Sequence, residues 1–380
     1  MLVATLLFAA CASVPAPNAA SYAVPEERQK AVEDFTAYLR EKMAATGMVA
    51  GAIFADGGSV LATSGIADSE NPEIPLNEET IFGLASLSKM HVLLLAKDLH
   101  ESGVVDLNTP VRELVPELHE DYSRTTLRDL LCHKTGLPRE HVSWCMWWDV
   151  PACWLFGADI TRTYASVPGM IETLNKPRCR ENLQNPRERY SNLGIGLLGI
   201  AFERATGESV PELVRKRVCE PLALSGTTFS PTEFPPSRYA GVHAGDIPKL
   251  SFRGSKMPLH ILGDGFRATG GIFSTPADEL KIMRRFREFF ASDESIGKLS
   301  AADNGRIIYG FEFHTGAHGE RMLYRHGMTY GSSTFVCFGL DSGVSIFVFY
   351  NNCDWPRDDA LEFFYFAESL EKRDDGAQKK

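Results

Sequence analysis

Two side chains one helical turn apart have the types and spacing of a nucleophile and its activating base. Ser86 and Lys89 stand in the segment FGLASLSKM, where the S-x-x-K spacing puts both on one face of a helix. Ser86 opens a stretch to Leu99 that is apolar on nearly every face, which predicts a buried helix whose N-terminal N–H groups favour an oxyanion. Burial lowers the pKa of a lysine, so Lys89 could accept the hydroxyl proton. The structural alternative is that Ser86 caps the helix while Lys89 reaches to solvent.

A second S-x-x-K occurs at Ser295-Ile296-Gly297-Lys298, in a polar stretch. Average usage of serine and lysine produces roughly one or two such matches by chance in a chain of this length. The local context therefore decides between the two motifs. Only Ser86 opens a buried helix, so we expect the chemistry there.

A tyrosine further along the chain could complete an acid–base pair. The segment RERYSNLG contains Tyr190-Ser191-Asn192, a Y-x-N pattern. Tyr190 could carry a proton between nucleophile and leaving group, and Asn192 could orient the substrate or the lysine. The structural alternative is a loop tyrosine before a helix that starts near Asn192. A second Y-x-N, at Tyr350-Asn351-Asn352, falls on the last predicted strand.

Two further motif matches are interpreted as structural. The run from Gly194 to Gly199 fits G-x-G-x-x-G, but no strand precedes it, so it predicts close packing of a helix rather than a dinucleotide site. Lys134-Thr135-Gly136 lies before Tyr190 in a segment, LLCHKTGLP, that reads as a helix-ending turn.

The elements that must position these residues can be read from the hydrophobic pattern. A helix is predicted over 26–43, followed by a hairpin of MVAGAIFA and SVLATSG around Asp56-Gly57-Gly58. Residues 105 to about 262 lack strand alternation and look helical. Strands return in YGFEFH, SSTFVCFGL and GVSIFVFYNN, and a last amphipathic helix covers 358–370. Strands at both ends predict a sheet completed by both termini, with helices inserted between them.

Composition excludes several classes of protein. The 380 residues are 44% hydrophobic and 23% charged, which is typical of a globular chain, and the net charge of −10 without a basic run argues against a nucleic-acid partner. The sequence contains no apolar stretch of 18 residues, which is about the length needed to span a membrane. Without any C-x-x-C pair, no metal site is expected.

The two ends of the chain differ from the rest. Residues 1–22 resemble a signal peptide with Ala10-Cys11-Ala12 at its cleavage site, or a lipoprotein leader with a poorly matching lipobox. This predicts a secreted or periplasmic protein that contacts a membrane only if Cys11 is lipidated. A positive n-region is missing, which leaves a truncated start or a buried first strand as the alternatives. Residues 373–380 are predicted to be a flexible tail.

Cysteines and tryptophans leave open questions. Without Cys11 seven cysteines remain, an odd number that predicts at least one free thiol; Cys145 and Cys153 bracket a short loop and are the best candidates for a disulfide. Four of the five tryptophans crowd into eleven residues of WCMWWDVPACWLF. This cluster could form an aromatic acyl-binding wall or lid, or a small satellite core under a long loop. Its members are Trp144, Trp147, Trp148 and Trp154.

Five segments in order resemble one family more specifically than any single motif does. S-x-x-K, RDLLCHKTGLP, YSNLGIGLLG, EPLALSGTTF and ATGGIFSTPADEL look like the β-lactamase-related serine hydrolases, over about 28–350. These include class C β-lactamases, DD-peptidases, D-aminopeptidases and family VIII carboxylesterases. The resemblance implies a mixed α/β (α+β) catalytic domain over 26–372. Its antiparallel sheet flanked by helices would span about 26–85 and 265–372, and a helical subdomain about 86–264, with the site between them.

The family's third motif should fall on a late strand, and RHGMTYGSS aligns His326-Gly327-Met328 with it. The resemblance then implies an oxyanion hole made by the backbone N–H groups of Thr329 and Ser86. His326 would hydrogen-bond a substrate carbonyl or carboxylate. A lysine is absent from the motif, and Met328 replaces a glycine, which argues against β-lactams more than against esters.

The same resemblance implies a reaction. Ser86 would be acylated, with Lys89 and Tyr190 as acid–base partners and with no metal or organic cofactor. Substrates would be small esters, amides or peptides, as for an esterase, a D-amino-acid peptidase or a β-lactamase. The alternative is a penicillin-recognising sensor or binding protein on the same fold that does not turn over. The sequence leaves the oligomeric state open.

Overall fold

A computed structural model describes residues 15–140, 166–245 and 254–378, apart from the single positions 24, 258, 260, 330 and 356. The predicted cleavage site, the predicted Cys145–Cys153 disulfide and the tryptophan cluster lie outside the described residues. The secreted or periplasmic location therefore stays a prediction.

Within the described residues, seven strands form one antiparallel sheet in the order β2-β1-β9-β8-β7-β6-β5, and β3 and β4 form a separate two-stranded pair. The sheet is completed by strands from both ends of the chain, as predicted, because β1 pairs with β9. The strands are β1 Gly47–Ile53, β2 Ser59–Gly65, β3 Phe82–Gly83, β4 Phe273–Ser274, β5 Ile307–Ile308, β6 Phe311–Thr315, β7 Arg321–Thr329, β8 Ser332–Gly339 and β9 Ser345–Tyr350.

Most helices of the described residues lie between β2 and β5, with one at each end of the chain. They are α1 Arg28–Lys42, α2 Ser88–Glu101, α3 Val111–Leu114, α4 Leu127–Leu131, α5 Val167–Leu174, α6 Pro177–Gln184, α7 Asn192–Thr206, α8 Val210–Val214, α9 Arg267–Gly270, α10 Pro276–Ser292, α11 Glu294–Gly297 and α12 Arg357–Gln378. The mixed α/β fold with an antiparallel sheet and a helical insertion is confirmed.

The hairpin of β1 and β2 shows how the sequence sets the register. Gly57 takes the left-handed backbone conformation (φ 84°), and the Gly58 N–H donates to Asp56 Oδ1 at 2.7 Å. Every residue of β1 is buried because the strand is covered on both faces, whereas the edge strand β2 is largely exposed. The predicted hairpin is therefore confirmed.

Two hydrophobic layers hold the sheet. On one face, α1 and α12 pack against Met48, Tyr324 and Ile346. On the other face, a continuous core joins Val49 and Phe347 to the helices of the insertion. The two predicted subdomains thus share one core, and the second face is the one that carries the residues of interest.

Both chain ends pack on the first of these layers. Tyr22 is buried, donates to Asp34 Oδ2 at 2.9 Å, and meets Phe366 edge to face at 6.2 Å between ring centres. Residues up to 22 were predicted as leader, but Tyr22 belongs to the folded domain. Helix α12 runs to Gln378, through most of the predicted tail.

The described residues can be searched for disulfides, metal-ligand clusters and membrane-spanning helices. Five described cysteines are free thiols: Cys132, Cys179, Cys219, Cys337 and Cys353. No group of three or more potential metal ligands comes together in the described part of the chain. None of the described helices is both long and apolar enough to cross a membrane.

Candidate active site

Ser86 stands in a tight turn rather than in the long helix itself. A 3₁₀ turn, Ala85–Leu87, precedes α2, which starts at Ser88. Ala85 takes a positive φ of 49°, which is strained for a residue with a side chain. The strain persists because the turn is tied down on both sides. The hydroxyl of Thr334 on β8 donates to the Leu84 carbonyl at 3.0 Å.

Lys89 follows in the first turn of α2 and points back at the serine. Its ammonium group donates to Ser86 Oγ at 3.1 Å and to the carbonyl of Thr269 at 2.5 Å. Only 3% of Lys89 is exposed. The structure thus places the amine within hydrogen-bonding distance of the hydroxyl, not in solvent as the structural alternative required.

Tyr190 comes to the same hydroxyl from a distant part of the chain. Its phenol oxygen lies 2.7 Å from Ser86 Oγ, and Lys89 Nζ lies 5.1 Å from its ring centre. Ser86, Lys89 and Tyr190 therefore meet around one oxygen atom, which is the arrangement a serine nucleophile needs for proton transfer.

Burial and neighbouring charges bring the pKa values of both acid–base groups down toward physiological pH. Desolvation lowers the pKa of Lys89 to about 8, against the opposing effect of Tyr190 and with a smaller contribution from the positive charge of Arg325. Burial raises the pKa of Tyr190, but Lys89 and Arg325 lower it by more, so it falls to about 8. The amine and phenol thus share a proton near physiological pH.

A turn after α4 holds Tyr190 in place. His133, in the left-handed conformation (φ 56°), accepts a hydrogen bond at Nδ1 from the Ser191 N–H at 3.2 Å. Its carbonyl accepts from the Arg189 N–H at 2.8 Å, and its ring lies 4.8 Å from the Tyr190 ring. Burial lowers the pKa of His133 well below its usual range, so the imidazole is neutral. Lys134-Thr135-Gly136 belongs to this turn, as predicted.

Asn192 makes its hydrogen bonds to residues other than the lysine. It is the first residue of α7, with Ser191 as the cap. Its amide nitrogen donates to Glu140 Oε1 at 2.5 Å, and its backbone N–H donates to the Arg139 carbonyl at 2.8 Å. The structure therefore shows Asn192 bracing the 139–140 segment at the rim of the cleft.

Strand β7 lies beside the serine turn and is only partly paired. It pairs with β8 as far as Thr329, but with β6 only over Arg321–Tyr324. In an antiparallel pair, every second residue of a strand exchanges backbone hydrogen bonds with the residue opposite it. The residues in between point their N–H and carbonyl groups away from that partner strand. The Leu340 N–H donates to the Arg321 carbonyl at 2.8 Å, so the odd-numbered residues of β7 bond with β8. Even-numbered residues direct their N–H and carbonyl groups to the opposite side.

Beyond Tyr324 this second side of β7 has no paired strand in the described part of the chain. The backbone groups of His326 and Met328 therefore face the cleft. The N–H of Thr329 was expected in the oxyanion hole, but Thr329 is one of the odd-numbered residues and lies opposite Ser332 of β8, so its N–H points toward β8 and not into the cleft. Met328 carries the free N–H next to Gly327.

Gly327 sits directly against the serine turn. A Cβ atom at this position would lie 2.9 Å from the Ser86 nitrogen and 2.5 Å from the Leu84 carbonyl oxygen. Only glycine allows so close an approach, because real Cβ atoms essentially never come within 3.0 Å of such atoms. This contact also shows that the odd-numbered face of β7 is the one beside Ser86.

Arg325 is on that face, and it is a residue that the sequence reasoning missed. Its guanidinium carbon lies 5.8 Å from the Tyr190 ring centre, and only 4% of the residue is exposed. Its Nε and Nη2 atoms find no hydrogen-bond partner among the described residues. Gly310 makes room for it, since a Cβ there would lie 2.5 Å from Arg325 Nη1.

His326 points away from the catalytic face. Its ring packs at 4.7 Å on Trp355, which follows β9. Burial lowers the pKa of His326 to about 4, so the imidazole is uncharged at neutral pH. The sequence alignment was thus displaced by one residue: Arg325, not His326, has its side chain on the side of Ser86.

These residues line a small cleft of about 130 Å³. Two larger cavities, of about 640 and 730 Å³, contain none of the three converging side chains. The residues that line the cleft are Ser86, Arg139, Tyr190, Ile307, Gly310, Glu312, Tyr324, Arg325, His326, Met328 and Trp355.

A family model described as Beta-lactamase matches residues 35–369, which is most of the chain. The chain belongs to this family. It shares the family's serine-hydrolase ancestry, and its third motif is now defined by the structure as Arg325-His326-Gly327, with the glycine in place.

Two curated relatives and one solved structure place the chain within the family. The chain is 25% identical over 305 residues to "Penicillin-binding protein 4*" of Bacillus subtilis, covering 75% of this chain and 63% of that protein. It is 25% identical over 225 residues to the "D-alanyl-D-alanine-carboxypeptidase/endopeptidase AmpH" of Escherichia coli K12, covering 57% and 50%. The chain thus spans about half to two thirds of these relatives.

The fold agrees with a solved family member. A class C β-lactamase from Rhodobacter sphaeroides superposes with a TM-score of 0.67 at 19% identity, covering 90% of this chain and 98% of that one. The likeness shows the shared β-lactamase fold, and the substrate has to be inferred from this chain's own cleft.

Proposed function

We propose that this member of the β-lactamase family hydrolyses esters or amides through an acyl-Ser86 intermediate. The single observation that carries the proposal is the convergence of Lys89 Nζ, at 3.1 Å, and the Tyr190 phenol, at 2.7 Å, on Ser86 Oγ. Both groups have their pKa shifted to about 8. Perturbed titratable groups around a nucleophile in a cleft are typical of active sites.

The proton path follows from these contacts. As Ser86 Oγ attacks the carbonyl carbon, its proton passes to the Tyr190–Lys89 pair, which then protonates the leaving alcohol or amine. In the second half of the reaction, the pair takes a proton from water as the water oxygen attacks the acyl carbon, and it returns this proton to Ser86 Oγ as the bond between that oxygen and the acyl carbon breaks. Water is consumed, and an acid and an alcohol or amine leave.

The oxyanion would be held by backbone groups. The N–H of Met328 faces the cleft from the unpaired side of β7, and Gly327 brings this strand against the Ser86 nitrogen. Two N–H donors on either side of one carbonyl oxygen form the usual site for a tetrahedral intermediate. We assign Met328 and Ser86 to this role.

The unpaired side of β7 also suggests the shape of the substrate. The N–H and carbonyl groups of His326 and Met328 can pair with a substrate that carries an amide beside the scissile bond, as an added strand does. Peptides fit this requirement, and AmpH is named as a carboxypeptidase and endopeptidase. Peptides, and esters with a similar backbone, are therefore the proposed substrates.

The duplicated motif provides a matched test of the nucleophile. Ser86→Ala should lower kcat for p-nitrophenyl ester hydrolysis by at least about 10⁴-fold and abolish labelling by a fluorophosphonate probe, because the attacking oxygen is lost. The control is Ser295→Ala, which alters the exposed S-x-x-K of α11, whose serine hydroxyl donates to Asp293. This variant should keep both activities.

Equal turnover by Ser86→Ala and wild type would overturn the site assignment. Intact-mass spectrometry of the wild type, after mixing with penicillin or ester, separates a hydrolase from a sensor. A transient mass increase is expected for the hydrolase, whereas an adduct that persists for hours with every ester and with penicillin would favour the sensor.

A further inference from the structure

Three side chains form an uncharged surface at the rim of the cleft, on the opposite face of β7 from Ser86. His326 and Met328 are even-numbered residues of β7 and share one face of the strand, and Trp355 packs on the His326 ring at 4.7 Å with an interplanar angle of 59°. All three residues line the cleft. We call His326, Met328 and Trp355 the rim platform.

The platform is held rigidly. The segment before Trp355 is fastened to β8 by one hydroxyl: Ser333 Oγ lies 2.9 Å from the Asn352 carbonyl and 2.8 Å from the Asp354 carbonyl, and it accepts from the Asp354 N–H at 3.1 Å. Ser333 is opposite Met328 in the sheet, so this clamp lies at the level of the platform. A ring in a fixed position can select a ligand at low entropic cost.

Trp355 is the most exposed large hydrophobic side chain among the described residues, with 50% of its surface open. An indole ring that is half exposed to solvent beside a cleft has apolar surface that an aromatic ring of a ligand could cover. The imidazole beneath it adds no charge at neutral pH, since burial keeps the pKa of His326 at about 4. The platform therefore favours apolar, polarisable groups over ions.

The unpaired side of β7 determines which part of a substrate would meet the platform. Residues directly opposite each other on neighbouring strands place their side chains on the same face. A substrate unit that pairs with the backbone of His326 or Met328 would therefore turn its side group toward the platform. The scissile carbonyl would remain at Ser86, across the edge of the strand.

We propose that the rim platform is a specificity subsite for an aromatic group carried by the substrate, on either its acyl or its leaving side. The proposal rests on the proposed hydrolysis at Ser86. It gives Trp355 the role of selecting among substrates without touching the reacting atoms.

The selection can be tested by measuring the hydrolysis of three esters, followed through the proton that each carboxylic acid product releases. Ethyl acetate carries no ring, ethyl phenylacetate carries one on the acyl side, and benzyl acetate carries one on the leaving side. Wild type should prefer one of the aromatic esters. Trp355→Ala should reduce that preference, measured as the ratio of kcat/KM values to that for ethyl acetate, by about ten-fold. Trp355→Phe should keep most of it.

The control variant is Val104→Ala, which trims another exposed hydrophobic residue (44%) that does not line the cleft. It should leave all ratios unchanged. The proposal is overturned if Trp355→Ala keeps the aromatic preference, or if it slows all three esters equally. If wild type turns over none of the three, the proposed hydrolysis itself fails, which is a different result.

Discussion

Arg325 places a positive charge beside Tyr190 and Lys89 in a part of the site from which water is excluded. A buried cation without a carboxylate partner costs free energy, and within the described residues none lies within ion-pair distance. Its effect on the two neighbours is the same in sign: it lowers the pKa of Lys89 and of Tyr190. Both shifts increase the fraction of the proton-accepting form at neutral pH.

The charge of Arg325 should be visible in the pH dependence of the reaction. For wild type, kcat/KM should fall as the pH drops below about 8, because the Lys89–Tyr190 pair then keeps the proton it must give up. Arg325→Gln removes the cation, so both pKa values should rise and the limb should move to higher pH. Arg325→Lys should stay close to wild type.

Arg139 offers the matched control for this experiment. It also lies near the Tyr190 ring, at 5.2 Å, but 57% of its side chain is exposed and solvent screens its charge. Arg139→Gln should shift the profile less than Arg325→Gln does. Superimposable profiles for Arg325→Gln and wild type would show that the buried charge does not set the pH limb.

At the scale of elements, two short turns do more for the site than the long helices. The 3₁₀ turn at Ala85–Leu87 presents Ser86, and the turn after α4 presents His133 to the backbone of Tyr190 and Ser191. Both turns contain a residue with a side chain at positive φ, Ala85 and His133. Strained backbone of this kind persists where the surroundings fix it, which is common at functional sites.

His133 gives a direct test of how a turn positions a reacting group. His133→Leu removes the acceptor for the Ser191 N–H, so Tyr190 should drift from Ser86 and kcat should fall by about ten- to a hundred-fold, with a smaller change in KM. His133→Asn should rescue most of kcat, because asparagine tolerates positive φ and its amide oxygen can accept the same hydrogen bond. Equal loss in both variants would contradict a positioning role.

Local periodicity predicted five of the strands, β1, β2, β6, β8 and β9, and the buried helix that follows Ser86, whereas the two-residue strands β3, β4 and β5 are too short to show it. The same sequence patterns named Ser86, Lys89 and Tyr190 as candidates, and the structure brings these three side chains together. The patterns failed on β7, where buried strand positions do not alternate and a one-residue register error is invisible. On this strand the family resemblance, not periodicity, assigned Thr329 and His326, each one residue away from Met328 and Arg325. Trp355 carried no sequence signal at all.

At the scale of the whole molecule, the two ends of the chain are joined by one arginine. Arg28, at the start of α1, bonds Asp56 of the hairpin at 2.6 Å and Glu371 of α12 at 3.1 Å, and it lies 4.1 Å above the Phe54 ring. The side chains of Arg28 and Glu371 are 7% and 8% exposed. This link connects three elements on the sheet face opposite the site.

Removing this link should destabilise the fold without touching the chemistry. Arg28→Met removes a buried cation that bonds Asp56 and Glu371 and should cost about 3–5 kcal/mol of unfolding free energy, measured by denaturant titration. The control is Lys30→Met, which breaks the exposed pair with Asp34 (3.0 Å) and should cost less than about 1 kcal/mol. Similar midpoints for the two variants would refute the importance of the buried link.

The pairing of β1 with β9 has a consequence for how the protein is made. Strand β1 ends at Ile53, but its central neighbour begins only at Ser345. At synthesis rates of about 5–20 residues per second, the early hairpin leaves the ribosome tens of seconds before that neighbour exists. During this interval the edge of β1 that will pair with β9 exposes unpaired N–H and C=O groups, so the nascent hairpin is open to pairing with other chains until the last strand emerges.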